Sequence, residues 1–391
     1  MPLPPTRQVA VVGTGMLAPR LMSGRSPLDL GAEAIQLALD DAGLLPSDVD
    51  GLYTNVGTPL AADYDRMAEA YGFRLTSSVQ TWTHGRFVGT AVQTAAMAIA
   101  LGVCEVAVCM AGVSFTRLGM VGGVLDLEGL RQGGGSHGEH PHYGMTAPGG
   151  GAAMAFQKYC ARYDKDPALL AAVPVAIRKH AQLNPLAQMT KPMDAEKYYS
   201  NPWIFEPLRR PDFALLSDGA GCIVLTSLDR ARDLPKKPVV IGGMQGLRSG
   251  RNEFIFAPPG LGVFSQDDDP TTPDNTVYAM AGLAGPQDVD LLYTYDAFSP
   301  NVVFVAERFG FAPEGEGLDW VQDGRIELGG QIPVNTNGGL LSEGHVAGWG
   351  HMVELTRQLR GECGDRQAAG AETAQWATAF GDSIIFHTDR G

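Results

Sequence analysis

The chain has 391 residues, of which 45% are hydrophobic and 18% charged, and a net charge of −14. That length exceeds one ordinary core and that composition is too apolar for disorder, so two domains or a duplicated domain is expected. The acidic surface excludes a general nucleic-acid or anionic-membrane binder, because its summed field repels phosphate.

The Met1–Arg7 segment lacks the charged, apolar and cleavage regions of a signal peptide and leads directly into a strand at Gln8–Val12. A helix follows, capped by Ser26 with Pro27 at its first position and Gly43 at its end, and Leu28, Ala32, Ile35 and Leu39 form its expected apolar stripe. Then comes a pattern that returns. Ala42-Gly43-Leu44, Pro46, Asp48-Val49-Asp50 and Leu52-Tyr53-Thr54 recur, with one residue inserted, as Ala281-Gly282-Leu283, Pro286, Asp288-Val289-Asp290 and Leu292-Tyr293-Thr294. The uncharged stretch Phe87–Cys104 is long enough to span a bilayer, but Gln93 and many Thr, Ala and Gly residues dilute it. It reads as a buried helix over Phe87–Leu101 before a strand at Glu105–Met110.

Between Gly112 and Pro211 lies a Gly- and His-rich insertion, expected to cover the site as a loop domain. Its His137, His140 and His142 surround Pro141 and glycines, which gives them no fixed face, so a loop is expected there and no metal site. Ser217–Ser227 reads as the closing strand of the first half. The second copy offers a strand at Val239–Ile241 and, after the solvated turn Asp267–Asp269, a helix entered through Thr272 and Pro273 that stops at Gly282. The apolar helix Gly348–Leu359 then precedes a strand at Thr373–Phe380. Strands alternating with helices at these lengths predict mostly parallel sheets covered on both faces. The cysteines, Cys104, Cys109, Cys160, Cys222 and Cys363, are five in number and form no Cys-x-x-Cys pair. A disulfide framework and a zinc ribbon are both unsupported, and a reducing cytoplasm is the expected compartment.

In such sheets chemistry gathers at strand ends and helix starts, where free N–H donors can meet a developing oxyanion. Three segments qualify: Thr83-His84-Gly85-Arg86-Phe87-Val88-Gly89-Thr90, Tyr293–Ser299, and Asn335-Thr336-Asn337-Gly338-Gly339 leading to Ser342-Glu343-Gly344-His345. The last of these, together with Gln358-Leu359-Arg360-Gly361, resembles the Asn-x-x-Gly-Gly…Gly-His block of the thiolase superfamily. Tyr295-Asp296-Ala297-Phe298 stands where sterol carrier protein X thiolases carry His-Asp-x-Phe and thiolase-like steroid side-chain aldolases, the lipid-transfer-protein type, carry Tyr-Asp-x-Phe.

The resemblance implies an α/β thiolase fold, five-layered αβαβα, with two duplicated halves and a loop-domain insertion, usually a homodimer acting on acyl-CoA. The halves are expected at 1–111 with 212–235 and at 236–391, around an insertion at 112–211. A thiolase also needs an acylatable cysteine at the start of the copy-one helix, where the dipole and a nearby histidine lower its pKa. That place falls between Arg86 and Gly89, and no cysteine precedes Val103. The second family cysteine would fall around Trp376–Gly381, where none stands.

What remains suits retro-aldol cleavage of a 3-hydroxyacyl thioester, in which a base takes the hydroxyl proton and N–H donors hold the enolate. Tyr295 and His345 are the expected proton-transfer pair, with Asp296 beside them and His84, Arg86 and Gly381 as substrate contacts. Ordinary pKa values near 6.5 for histidine and about 10 for tyrosine make His345 the easier base near neutrality and Tyr295 the hydrogen-bonding, proton-returning partner. Arg178, Lys179, Lys191, Arg209 and Arg210 either meet coenzyme A phosphates or keep the insertion soluble. No metal and no cofactor is expected beyond coenzyme A as part of the substrate. The resemblance also implies a separate OB-fold and zinc-ribbon subunit as partner. The rival readings are a non-catalytic acyl-CoA-binding subunit and acyl transfer through Thr90.

Overall fold

The computed structural model describes residues 6–58, 60–81, 87–115, 148–248 and 275–391. In chain order the elements are β1 (Val9–Arg20), α1 (Pro27–Ala42), β2 (Gly51–Thr54), α2 (Tyr64–Tyr71), β3 (Ser77–Gln80), α3 (Val88–Ala100) and β4 (Val106–Ser114). The insertion contributes α4 (Pro148–Tyr163), α5 (Ala172–Gln182), α6 (Ala195–Tyr199) and the short pair β5 (Trp203–Phe205) and β6 (Leu208–Arg209). Then follow β7 (Asp218–Ser227), α7 (Leu228–Ala231), β8 (Val239–Gln245), α8 (Val277–Met280), β9 (Leu291–Thr294), α9 (Pro300–Arg308), α10 (Gly317–Trp320), α11 (Trp349–Arg360), β10 (Thr373–Ala377) and β11 (Ser383–Thr388).

Nine strands form one sheet in the order β3-β2-β4-β7-β1-β8-β11-β10-β9, joined at the middle where Ala10 faces Val240 and Val11 faces Val239. The strands are mixed rather than mostly parallel: β2·β3, β2·β4 and β9·β10 run parallel, while β1·β7, β4·β7, β1·β8, β8·β11 and β10·β11 run antiparallel. The short turn between β10 and β11 can join only antiparallel neighbours, and β7 returns after the insertion to lie between β1 and β4.

The buried side chains alternate with this sheet in layers. On one outer face Leu30, Ala34, Ile35 and Leu39 of α1 pack on Val12, Val108 and Val224. In the middle, α3 and α11 lie between the two halves, with Val92, Ile99, Val353 and Trp349 against Val11, Ile223, Tyr293 and Phe386. On the other outer face Val277, Phe304, Phe156 and Ile177 pack on Leu292 and Ile385. Helix, strand, helix, strand and helix layers thus follow one another, and the insertion helices α4 and α5 join the second half's outer layer.

The repeat has a physical reason in each copy. The Asp50 carboxylate accepts from the backbone N–H of Glu105 (2.9 Å) and Val106 (2.9 Å), and Asp290 accepts likewise from Glu372 (2.9 Å) and Thr373 (2.9 Å). Asp48 accepts from Leu45 N–H at 2.8 Å, and Asp288 from Ala284 N–H at 2.7 Å. Both aspartates of the motif therefore close the same turn and hold the same neighbouring strand twice.

The buried face of α1 differs from the expected stripe, because Leu28 and Ala32 are only partly buried while Leu30, Ala34 and Ala38 face the sheet. A Cβ at Gly13 would stand 2.1 Å from the Ala38 carbonyl oxygen, and one at Gly15 2.1 Å from that of Ala34. Glycine on the strand lets the helix backbone touch it, and this selects the small-residue face. The second copy repeats the contact, since a Cβ at Gly243 would lie 2.5 Å from the Val277 carbonyl oxygen. Its helix is only α8, four residues long, and the expected start at Thr272 and Pro273 lies outside the described residues.

The uncharged stretch forms α3, 13 residues long, with Val88, Ala91, Val92, Ala95, Ala96 and Ile99 buried between the halves. Among the described residues no helix is long and apolar enough to cross a membrane. Gly15→Ala is expected to lower stability by about 1–3 kcal/mol, the usual cost of overpacking. Thermal denaturation measures it, and an unchanged midpoint would show that α1 can retreat freely from β1.

Candidate active site

β9 delivers Tyr293 and Thr294 and, just beyond its end, Tyr295 and Asp296. Asn335 clamps that end: Thr294 N–H donates to Asn335 Oδ1 at 2.9 Å, and Asn335 Nδ2 donates to the Thr294 carbonyl at 3.1 Å. The chain then passes Gly339, whose φ of +59° and whose distance from Asp296 both exclude a side chain, because a Cβ there would lie 2.0 Å from Asp296 Oδ2. Gly339–Glu343 forms a single wide π turn, a local distortion that often marks functional sites.

This turn carries His345 to the phenol of Tyr295, with Tyr295 Oη and His345 Nε2 2.7 Å apart and the rings meeting edge-on. Phe115, at the end of β4, packs edge-on against the imidazole with ring centroids 4.5 Å apart. The His345 N–H donates to Ser217 Oγ (3.1 Å) and to the Leu215 carbonyl (3.3 Å), while Gln188 Nε2 donates to the same Ser217 oxygen. The Tyr295–His345 pair is therefore braced by Phe115 after β4, by Ser217 before β7 and, through Ser217, by Gln188.

Tyr295 is 2% exposed and His345 is the member nearer solvent. Burial pushes His345 down to about 4, against the opposing pull of its own carbonyl and of Asp296, with His351 adding to the lowering. The imidazole is thus neutral at pH 7. It also holds an added proton more weakly than its ordinary value suggests, which removes the simple reason for making it the stronger base.

Asp296 lies behind the pair, fully buried. Its Oδ1 accepts from Leu340 N–H at 2.9 Å and lies 3.1 Å from His351 Nε2, while His351 Nδ1 lies 3.3 Å from Asn337 Oδ1. Asn337 Nδ2 donates to Glu343 Oε2, and Asn184 Nδ2 donates to Glu343 Oε1 at 2.9 Å. A Cβ at Gly350 would stand 2.4 Å from Glu343 Oε2, so α11 presses directly on this acid. Burial pushes the Glu343 carboxyl up to about 8, helped by Glu354 and opposed by the amides of Asn337 and Asn184 and by Arg366. In the first copy the residue in Tyr295's place is Asn55, which accepts from Trp349 Nε1 (2.8 Å) and donates to the Ala347 carbonyl (3.0 Å).

The structure thus brings Tyr295, Asp296 and His345 together. Gly381 lies in the β10–β11 turn, where its carbonyl accepts from Gln245 Nε2 at 2.7 Å and its Cα faces Arg248 and Arg308. His84 and Arg86, like His137, His140 and His142, lie outside the described residues. Two of the cationic candidates are engaged by other side chains, Arg178 in the interior and Lys179 at the surface. The buried Arg178 donates to Ser342 Oγ at 2.9 Å, and Lys179 pairs with Glu327 at 2.6 Å. Arg209 lies over the rings of Tyr199 and Trp203, whereas Lys191 and Arg210 are exposed.

All five cysteines are buried and unpaired. Burial pushes Cys104 up to about 11 and Cys160 to about 12, and also raises Cys109, Cys222 and Cys363, so no thiol of the chain is set up as a thiolate nucleophile. Among the described residues no cluster of His, Cys, Asp and Glu could hold a metal ion.

The thiolase C-terminal domain-like family matches residues 272–386. Over 370 residues the chain is 37% identical to a 17-hydroxy-3-oxo-4-pregnene-20-carboxyl-CoA lyase of Mycobacterium tuberculosis, covering 90% of this chain and 92% of that protein. It belongs to the thiolase-fold steroid side-chain-cleaving aldolases. A steroid side-chain-cleaving aldolase of Thermomonospora curvata is 35% identical over 90% of both chains. The solved Ltp2-ChsH2(DUF35) aldolase superposes with a TM-score of 0.83 at 30% identity, covering 100% of this chain and 99% of that one.

Phe115, Ser217, Asn184 and His351 escaped the sequence reading of this aldolase site. The first three come from distant segments with no motif of their own; His351 had one signal, a histidine directly after Gly350 in the first turn of α11. The buried acid and base of the site also set opposite pH dependences. Glu343 makes the folded state the stronger proton binder, so its contribution is fully present below 4.5 and is lost as pH rises to about 8. The contribution of His345 is present above 6.5 and is lost as pH falls to about 4. Glu343→Gln is expected to flatten the alkaline fall in thermal midpoint between about pH 5 and 8, and an unchanged slope would assign that fall to another group.

Proposed function

We propose that this chain cleaves the Cα–Cβ bond of a 3-hydroxyacyl-CoA by a retro-aldol reaction, releasing a shorter acyl-CoA and a ketone or aldehyde. The observation that carries the proposal is the buried Tyr295–His345 pair, 2.7 Å apart, in a protein whose thiols are all held protonated. Such a site moves protons and acylates nothing.

In the tautomer with Nε2 bare, the neutral imidazole accepts the phenol proton of Tyr295, and the phenol oxygen accepts in turn from the substrate hydroxyl. The two transfers run together. A free phenolate would be costly in so buried a site, and coupling the transfers avoids it; the proton ends on His345, whose imidazolium is the countercharge of the enolate. The electron pair of the breaking bond passes into the thioester, and backbone N–H donors hold the enolate oxygen. Asp296, fixed by Leu340 and facing His351, keeps the residue before it in register with His345.

The substrate class follows the named activities of the two similar lyases, so a steroid or other bulky side chain joined to coenzyme A is proposed. Coenzyme A enters as part of the substrate and no further cofactor takes part; His84, Arg86 and Gly381 remain its proposed contacts. The chain is proposed to work as a cytoplasmic homodimer with a separate OB-fold and zinc-ribbon subunit, in line with the two-component name of the structurally similar aldolase.

Purified protein, alone and with its co-expressed partner, is expected to release a carbonyl compound from 3-hydroxyacyl-CoA without consuming free CoA. Acyl transfer to CoA would overturn the reading, and inactivity in every combination would favour a binding subunit. Tyr295→Phe and His345→Ala are each expected to lower kcat by about 10²–10⁴-fold with folding intact. Because His345 acts unprotonated, kcat is expected to fall as pH drops toward about 4.

A further inference from the structure

The turn between β10 and β11 leaves the sheet beside the reactive pair, because Ala377 lies opposite Thr294 in the parallel ladder, one residue before Tyr295. Thr378 and Asp382 close it: Thr378 N–H donates to the Asp382 carbonyl at 3.0 Å, and the Thr378 hydroxyl donates to Asp382 Oδ1. The other carboxyl oxygen, Oδ2, makes no hydrogen bond of regular geometry, although Asp382 is 0% exposed. It is aimed at the first turn of α3. A Cβ at Gly89 would lie 2.6 Å from Oδ2 and 2.8 Å from the indole nitrogen of Trp376. Trp376 in turn packs on His351, with ring centroids 5.6 Å apart, and His351 faces Asp296. A buried carboxyl oxygen therefore stands against the start of α3 and the Trp376 indole, in the turn that follows the strand paired with β9.

We infer that Asp382 is the acid that returns a proton to the α-carbon of the thioester enolate. The inference rests on the lyase reading and completes its proton balance. The substrate hydroxyl proton goes to the Tyr295–His345 couple, and the Cα–Cβ pair becomes the enolate. The Asp382 O–H bond then breaks as the new Cα–H bond forms, leaving a carboxylate. Solvent takes the proton from the couple and restores one to Asp382, so no net proton is gained or lost.

The surroundings suit the task. Burial pushes Asp382 up to about 6, against the lowering pull of the Thr378 hydroxyl, the nearby indole N–H and Arg308 from α9. The N-terminus of α3 adds a further lowering field, and Arg248 stands behind Gly381. An acid poised near neutrality can donate to a carbanion and be reprotonated quickly.

The reverse half-step needs only the shorter product, which separates this inference from the lyase reading. In deuterium oxide the full-length protein, alone and with its co-expressed partner, is expected to exchange the α-hydrogens of acetyl-CoA or propanoyl-CoA, followed by mass spectrometry. The rate is expected to rise through about pH 6, as the Asp382 carboxylate forms. Asp382→Asn is expected to lower both exchange and cleavage kcat by about 100-fold or more, with little change in KM. Exchange by Asp382→Asn at the unaltered rate, absence of exchange by the unaltered protein, or a profile flat across that pH range would each overturn the role of Asp382. The profile needs no variant, so misfolding of Asp382→Asn leaves the test intact. Failure of the unaltered protein to cleave any 3-hydroxyacyl-CoA would instead remove the lyase reading.

Discussion

The Asp296 carboxylate, wholly enclosed, is the joint on which the site turns. It accepts the Leu340 N–H and faces His351, and so ties the end of β9 to the π turn and to α11. A residue with a Cβ at 339 would collide with it. Glycine there, asparagine at 337 and glycine at 350 are three answers to one demand: buried polar groups must meet partners at close range, and only small or amide-bearing residues leave room. The position of His345 relative to Tyr295 follows from that joint, because the same turn ends two residues before the imidazole.

Charges in this interior are managed by enclosure more than by pairing. Glu343 is lifted and His345 lowered by the same desolvation, so both lean toward their neutral forms at pH 7. With both neutral at rest, the charges that arise in the proposed turnover are the enolate and the proton passed to His345. Burial also lowers His345 below the ordinary solution value from which its role as the easier base was read. Sequence reveals which ionisable groups stand near one another but not how much water reaches them.

The repeat around Asp50 and Asp290 was legible because each aspartate performs a local task, holding backbone groups of a neighbouring strand, that only its residue type performs at that spacing. The Tyr295 and His345 motifs were legible for a similar reason, as the glycines and asparagines around them are needed in fixed order. Strand direction was not, since it depends on where β7 returns after the insertion and on the short turn before β11. The apolar stripe of α1 was right at Ile35 and Leu39 but not at Leu28 and Ala32, because contact through Gly13 and Gly15 brings Ala34 and Ala38 against the strand. Ser217, Asn184 and Phe115 reach the imidazole or its supporting turn from segments whose proximity exists only after folding.

Asn55 stands in the first copy where Tyr295 stands in the second, and it grips Ala347 and Trp349 of the opposite half. The two equivalent strand tips therefore make different contacts, one fastening the opposite half and the other setting a phenol against His345. Mutational drift at the two places should differ accordingly. Change at 55 would loosen the seam between halves, whereas change at 295 would remove the phenol that meets His345 and leave that seam in place.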